Sequence, residues 1–397
     1  MDAEHTPITQ VPPRRMHTLE SLNESQIEAI RKIPPYGTQP PPVMTVRYPA
    51  SHFTERARFE QERDTVFRKM AVPIMPSARI SQPGTAITHH GYGMALLLVR
   101  DKAGTLRVFL NACQHKGAKL VEGCALQKLS RITCPYHSWT YGLDGSLITI
   151  ARQDAFEAVN KADFNLAELP SREFGGLIWA CLDRDVEPDF SALVPEIEAD
   201  LVSLDIPTAH VYGHRSFNLK ANWKLVLEPF MESYHVPRLH AASIGALFGD
   251  VTRVIDLLGP HQRKTAGKVN FQPEMVDIPG ENIHKTVTFA YQLFPNAVLI
   301  TSPYYISLMI LMPVSERETN VDYYMLTLEA PQSEKAEEVA ARSFELILKV
   351  FGEEDFRAAE ISQEGLESKA LSHMTYGGME NTIPMYYEQL DFLVGSA

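Results

Sequence analysis

The sequence predicts an α+β protein of two successive domains behind a proline-rich arm. Three observations lead there. A length of 397 residues suits about two domains. Residues 46–185 read, after one helix, as short β-prone runs separated by Gly, Pro and Asp turns. Residues 186–397 mix helical periodicity with a group of four strands and close on helices. With 45% hydrophobic residues, the chain has enough apolar material for a large core.

The elements follow in order. Residues 1–45 carry Pro12-Pro13, Pro34-Pro35 and Pro40-Pro41-Pro42, which predict an arm. One short helix lies within it, capped by Ser21 or Asn23 and marked by Ile27, Ile30 and Ile33. The spacing of Phe59, Val66 and Phe67 predicts a helix over 55–70. The β-rich stretch then runs to a buried strand at 175–182. Leu193, Ile197 and Leu201 predict a helix over 190–205, and strand-like text fills 209–219. Residues 241–285 read as a long polar and apolar connection, a lid or channel wall. Strands are expected at 286–293, 297–301, 305–313 and 321–329. Helices are expected at 333–350, with Ser333 as cap, and at 353–368.

Charge and cysteine usage narrow the class. A net charge of −12 argues against nucleic acid or an anionic membrane as partner. No apolar run approaches the roughly 18 residues of a spanning helix. The start, Met1-Asp2-Ala3-Glu4-His5, is polar and lacks the apolar core of a secretory leader. Few cysteines, two of them in a ligand pattern, fit a reducing cytoplasm. Cys124 reads as a loop thiol and Cys181 as a buried strand thiol.

The first chemical constellation is Cys113-Gln114-His115 with Cys134-Pro135-Tyr136-His137. A structural zinc site normally separates its cysteine pair from its histidine pair. Here each half is mixed, Cys then His, twice. A Rieske [2Fe–2S] centre needs that order, because two Cys hold one iron and two His hold the other. Gly117, Pro135, Gly142 and Gly145 place these residues on loops between β-prone runs.

The second constellation is Glu232, His235 and His240. On a helix, Glu232 and His235 share a face. Pro237 is expected to bend or end that helix at Val236, which lets His240 converge on His235. Two imidazoles and one carboxylate make the facial triad of non-haem Fe(II) oxygenases. The carboxylate has to come from elsewhere, and the acidic run 353–363 offers several.

These stretches resemble the large, or alpha, subunit of the Rieske non-haem iron oxygenases. The resemblance rests on 110–120 and 134–145 for the cluster loops and on Asn222-Trp223-Lys224 with Glu232-x2-His235-x4-His240 for the iron segment. Glu62, Phe67, Gln363, Gly377-Gly378 and Tyr386-Tyr387 extend it over nearly the whole chain after the arm. It implies an all-β N-terminal domain holding the cluster on Cys113, His115, Cys134 and His137. It also implies an α+β catalytic domain, an antiparallel sheet gripped by helices in a START-like manner. There His235, His240 and Asp355 hold mononuclear Fe(II), with Glu354 the alternative to Asp355. Glu232 bridges the cluster of one subunit to the iron of the next.

The resemblance further implies a terminal oxygenase, a homotrimer by the demands of that bridge, fed from NAD(P)H by a flavin reductase and in some systems a ferredoxin. It uses O2 to hydroxylate an aromatic substrate. The alternative is a demethylating monooxygenase on a quaternary ammonium or methylated compound, for which Glu232 in place of the commoner Asp gives slight support. A pure electron carrier fits less well. The chain is long, and respiratory Rieske loops carry a disulfide where Ala118 and Tyr136 stand here. Phe289, Tyr291, Phe294, Tyr304, Tyr305, Met309 and Met312 fit either core or an apolar substrate wall, core being the commoner use.

Overall fold

The computed structural model describes residues 16–157, 159–249 and 253–395. The first part of the proline-rich arm, with Pro12 and Pro13, lies outside the described residues. Asn23 caps the helix Glu24–Arg31 by accepting from the Gln26 amide at 2.9 Å. Gln26, buried, donates to the Tyr291 hydroxyl at 2.9 Å, so this helix is docked on the second half of the chain. Thr45–Pro49 pairs antiparallel with His373–Gly377, joining residues more than three hundred positions apart in one small sheet.

The helix Arg56–Glu62 continues as a wider π-turn over Arg63–Phe67. Glu62 is fully buried. It receives the Lys224 ammonium at 2.7 and 2.8 Å and the Trp223 indole N–H at 2.9 Å. Neither charge reaches water, Glu62 also accepts from Arg58 Nε at 2.8 Å, and the Glu62–Lys224 pair clamps this helix to the helix Trp223–Leu227.

The β-rich part holds three sheets. One has five strands in the order Glu168–Leu169, Leu106–Leu110, Met94–Arg100, Thr85–Gly91 and Gln127–Lys128. A second comprises Ser171–Phe174, Leu177–Cys181 and Ala71–Pro76. Its hairpin turns on Gly175 and Gly176, both at positive φ, as a two-residue turn between twisted strands requires. A Cβ on Gly176 would stand 2.5 Å from the Pro207 nitrogen, so the site also needs glycine for space. The third sheet, Ile132–Thr133, Thr140–Tyr141 and Leu147–Thr149, carries the second cysteine–histidine loop.

The second half is built on one antiparallel seven-stranded sheet. Its order is His210–Leu219, Glu318–Thr327, Ile306–Ser315, Ala297–Thr301, Val287–Leu293, His261–Gly267 and Arg253–Leu258. The last two strands fall inside 241–285, where the sequence suggested an irregular connection. The strand His261–Gly267 hides its nature because it is polar and buried at once. Arg263 on one face reaches Asp200 and Asp256 at 2.8 Å each. Lys264 and Ala266, of opposite parity, line a cavity on the other. Helices Glu334–Lys349, Phe356–Glu367 and Thr382–Gly395 complete this half.

Candidate metal centres

The two cysteine–histidine loops have one backbone design. In the first, the Cys113 amide donates to Ala118 O at 2.9 Å and the Gly117 amide to Cys113 O at 2.8 Å. In the second, Cys134 donates to Trp139 O at 2.8 Å and Ser138 to Cys134 O at 3.0 Å. The fourth residue after each cysteine is left-handed, Gly117 at φ 72° and Ser138 at φ 58°. Asn111 fixes the first loop, accepting from the Leu120 and Val121 amides and donating to Val121 O.

This design pairs like with like. The His115 and His137 rings lie 4.7 Å apart, while Cys113 and Cys134 are buried beneath them. His115 stacks on buried Trp139 at 4.8 Å with the planes nearly parallel. His137 lies 3.8 Å from the ring of exposed Tyr136. The Tyr141 hydroxyl is 3.3 Å from Cys113 Sγ and accepts the Gln114 amide at 3.1 Å. Burial pushes the Cys113 thiol up, Tyr141 pulls it back, and neighbouring Cys134 adds to the rise.

The second centre joins His235, His240 and Asp355, whose ligand atoms all lie within 4.8 Å of one another. The local fold differs from the helix expected through Glu232 and His235. A turn over Glu228–Met231 ends at Glu232, which is extended, and a new helix, Val236–Leu239, begins after His235. Pro237 sits in its first turn, where a missing amide proton is harmless, so it starts a helix rather than ending one. His235 and His240 converge because they bracket that single turn, with ring centroids 5.1 Å apart. Asp355 ends a π-turn, Val350–Asp355, between the helices Glu334–Lys349 and Phe356–Glu367.

Each imidazole is held from behind by its own carboxylate. His235 Nδ1 donates to Glu232, whose other oxygen accepts the Tyr234 and His235 amides. His240 Nδ1 donates to Glu354. With Nδ1 protonated in this way, Nε2 is the nitrogen left to bind a metal. Burial pushes the His235 imidazole down, but Asp355 and Glu232 outweigh it and lift it to about 9. Gln363 lies away from this cluster and accepts the Asn222 amide at 2.9 Å, tying the helix Phe356–Glu367 to the start of the iron segment.

Both sets of residues fit iron. Nδ1 of His115 and of His137 is buried without a hydrogen-bond partner, which a metal bond explains. Asp355 Oδ1 is 3.4 Å from His235 Nε2 and 3.2 Å from His240 Nε2, yet it too is buried and forms no hydrogen bond. Two ligands at right angles, each about 2.1 Å from one metal, stand about 3 Å apart. The three atoms therefore face a common point rather than each other.

A cavity of about 280 Å³ opens beside His235, His240 and Asp355. Its floor is a row across the sheet, with Lys264 opposite Ala290, Ala290 opposite Ile300 and Ile300 opposite Ser307. Ala290 and Ser307, the small side chains in that row, leave space above it. Of the aromatic and methionine stripe, only Tyr305 reaches this cavity. Phe289, Tyr291, Phe294 and Met309 are core, and Tyr304 is exposed beside a different pocket. Sequence reasoning missed Lys264, Arg253 and Lys268 as cavity residues. The signal was alternation of Lys264, Ala266 and Lys268 with Arg263 and Thr265, which a polar strand displays without apolar contrast. The leftover thiols are as expected, Cys124 exposed and Cys181 buried in its strand.

Known families account for this pairing of centres. Residues 70–167 match the Rieske [2Fe–2S] domain, and residues 206–396 match the catalytic domain of the ring hydroxylating alpha subunit. The chain belongs to the Rieske oxygenase alpha subunits, with their [2Fe–2S] cluster and mononuclear iron.

Among its relatives, the carnitine monooxygenase oxygenase subunit of Acinetobacter baumannii is 29% identical over 54% of this chain and 57% of that protein. The chain thus spans little more than half of that relative. Choline monooxygenase of Beta vulgaris is 26% identical over 78% of this chain and 69% of that one. The fold is shared with the quaternary ammonium Rieske monooxygenase CntA in complex with L-carnitine (TM-score 0.75, 22% identity, 88% of this chain and 95% of that chain). It is also shared with naphthalene 1,2-dioxygenase from Rhodococcus sp. (TM-score 0.72, 18% identity, the same coverage).

Proposed function

We propose that the chain is the terminal oxygenase of a Rieske system. It takes electrons from NAD(P)H through a flavin reductase, directly or by way of a ferredoxin, and uses O2 to hydroxylate a small organic molecule. The observation that carries this reading is the presence in one chain of two separate ligand sets, the second of them beside a cavity. Cys113, His115, Cys134 and His137 hold the cluster, and His235, His240 and Asp355 hold the iron. When bound, the cluster supplies single electrons and the iron supplies O2 activation.

The chain's own residues do the rest. Glu232 and Glu354 hold the protons of His235 Nδ1 and His240 Nδ1 and so aim both Nε2 atoms. Glu232 also lies beside exposed Tyr234, at the edge of the site, where a neighbouring subunit's cluster loops can approach. Exposed Tyr136 against His137 marks the corresponding edge of those loops. In this reading the active assembly is a homotrimer in which Glu232 bridges subunits. One solved relative, a quaternary ammonium Rieske monooxygenase, is described in terms of inter-subunit electron transfer.

The mostly apolar cavity wall, with Phe230, Phe248, Tyr305 and Phe351, suits an aromatic ring. A second reading, oxidation of a quaternary ammonium compound, is supported by the carnitine and choline monooxygenases among the relatives. The test is NADH and O2 consumption by the reconstituted system against aromatic acids, aromatic hydrocarbons and methylammonium compounds. Substrate-dependent O2 uptake with a hydroxylated or demethylated product supports the proposal. Cluster reduction without O2 uptake on any of them leaves only an electron carrier.

A further inference from the structure

Lys264 is 1% exposed, and its Nζ is buried with no hydrogen-bond partner. Lys224, equally buried, has Glu62 at 2.7 and 2.8 Å. The contrast is chemical. One buried ammonium is neutralised inside the fold, and the other is left facing the cavity beside the iron ligands. An unpaired buried ammonium disfavours folding, so a chain that keeps one gains from it elsewhere.

Among the described residues, the surroundings of Lys264 offer it no free carboxylate. Of the acidic side chains lining the cavity, Glu232 is bonded to His235 and Asp355 faces both histidines. The nearby cation makes matters worse. Arg253 lines the same cavity, its guanidinium held by Met231 O at 2.8 Å and Met379 O at 2.7 Å, both uncharged acceptors. Burial and Arg253 together press Lys264 well below the ordinary lysine range. Lys268, a third cation on the wall, donates to His284 O at 2.7 Å. Basic side chains thus outnumber carboxylates around the cavity, and an arriving carboxylate favours the protonated form of Lys264. Across from Lys264 stand Ala290 on one neighbouring strand and Ile255 on the other, and two residues on is Ala266, so two small side chains flank it on the cavity floor.

We infer that Lys264 receives a carboxylate of the molecule bound in the cavity, so that the substrate is an organic acid or a zwitterion and neither a hydrocarbon nor a bare quaternary amine. The inference deepens the oxygenase reading and rests on it for the claim that the bound molecule is a substrate. It reconciles the two substrate classes, since an aromatic acid and a carboxylated trimethylammonium compound carry the same anionic group. It also separates the second class internally, because a cation without a carboxylate meets Lys264 and Arg253 with like charge.

The test uses the holoprotein and its Lys264→Met variant. Binding is measured by titration calorimetry for benzoate against benzamide, phenylacetate against phenylacetamide, and L-carnitine against choline. In the wild type at least one acid is expected to bind tenfold or more tighter than its partner. In K264M that preference is expected to fall to about twofold or less. K264M removes an unpaired buried charge, so its thermal midpoint without ligand is expected to equal or exceed that of the wild type, and it reports binding rather than misfolding. The inference is overturned if no acid is preferred in the wild type, or if K264M keeps the preference. O2 uptake, read separately, decides the oxygenase reading. Selective acid binding without turnover sinks that reading alone, and turnover of uncharged substrates with no acid preference sinks this one alone.

Discussion

Asp355 Oδ1 stands 3.2 Å from His240 Nε2 without bonding to it, while Glu354, its neighbour in sequence, takes the proton on the other side of the same ring. Adjacent carboxylates thus face opposite nitrogens of one imidazole. In the proposed site Asp355 is the ligand and Glu354 the orienting group. Glu354→Gln is expected to keep iron but bind it about 10–100-fold more weakly. Titrating Fe(II) into the two proteins measures this. Equal affinities would remove Glu354 from the metal site.

Glu232 holds His235 Nδ1, and in the proposed homotrimer it also bridges to a neighbouring subunit's cluster. Glu232→Ala, loaded with excess Fe(II), is expected to retain the cluster's absorption spectrum and lose coupled turnover. Normal turnover in that variant would contradict the bridge.

Tyr141 places its hydroxyl 3.3 Å from Cys113 Sγ. A hydrogen bond to a cluster thiolate stabilises the reduced state, which carries more negative charge. Tyr141→Phe is expected to lower the cluster's potential by roughly 40–60 mV, equivalent to about 1 kcal/mol for one electron. A redox titration followed spectroscopically reads it, and an unchanged potential would show that the contact carries no bond.

Glu228 is half-buried between the Tyr376 hydroxyl, which donates to it at 2.7 Å, and the Tyr387 hydroxyl. Burial outweighs both donors and pushes its carboxyl up to about 7 from an ordinary 4.5. The folded state therefore binds the extra proton between those values. Stability from this group is full below about pH 4.5 and is lost as pH rises through 7. Glu228→Gln keeps an acceptor for both tyrosines and cannot ionise. Its thermal midpoint relative to the wild type is expected to rise between pH 5.5 and pH 8. A constant difference would mean that Glu228 ionises normally.

Much of this was legible in the chain, and the exceptions have physical causes. Cys113, His115, Cys134 and His137 could be grouped because their order is set by the chemistry of a mixed-ligand cluster. The pairing of His235 with His240 was visible, but the reason was misread. Pro237 signals a helix boundary, and only the fold decides which side of it the helix takes. Asp355 was named through family likeness, since nothing local separates it from Glu354 until the backbone turns them to different sides of His240. The strand His261–Gly267 escaped because period-2 reading relies on apolar contrast, and this strand buries Arg263 in ion pairs on one face and Lys264 at a cavity on the other. The Phe/Tyr/Met stripe proved to be core apart from Tyr305 at the cavity and exposed Tyr304, as the commoner use of such residues suggested.

The most direct test of two separate iron sites is the iron and acid-labile sulfide content of the wild type and of Asp355→Ala. The wild type is expected to hold about three irons and two sulfides per chain. Asp355→Ala is expected to hold about two of each, with the cluster spectrum unchanged. Two irons in the wild type, or three retained in the variant, would contradict the account.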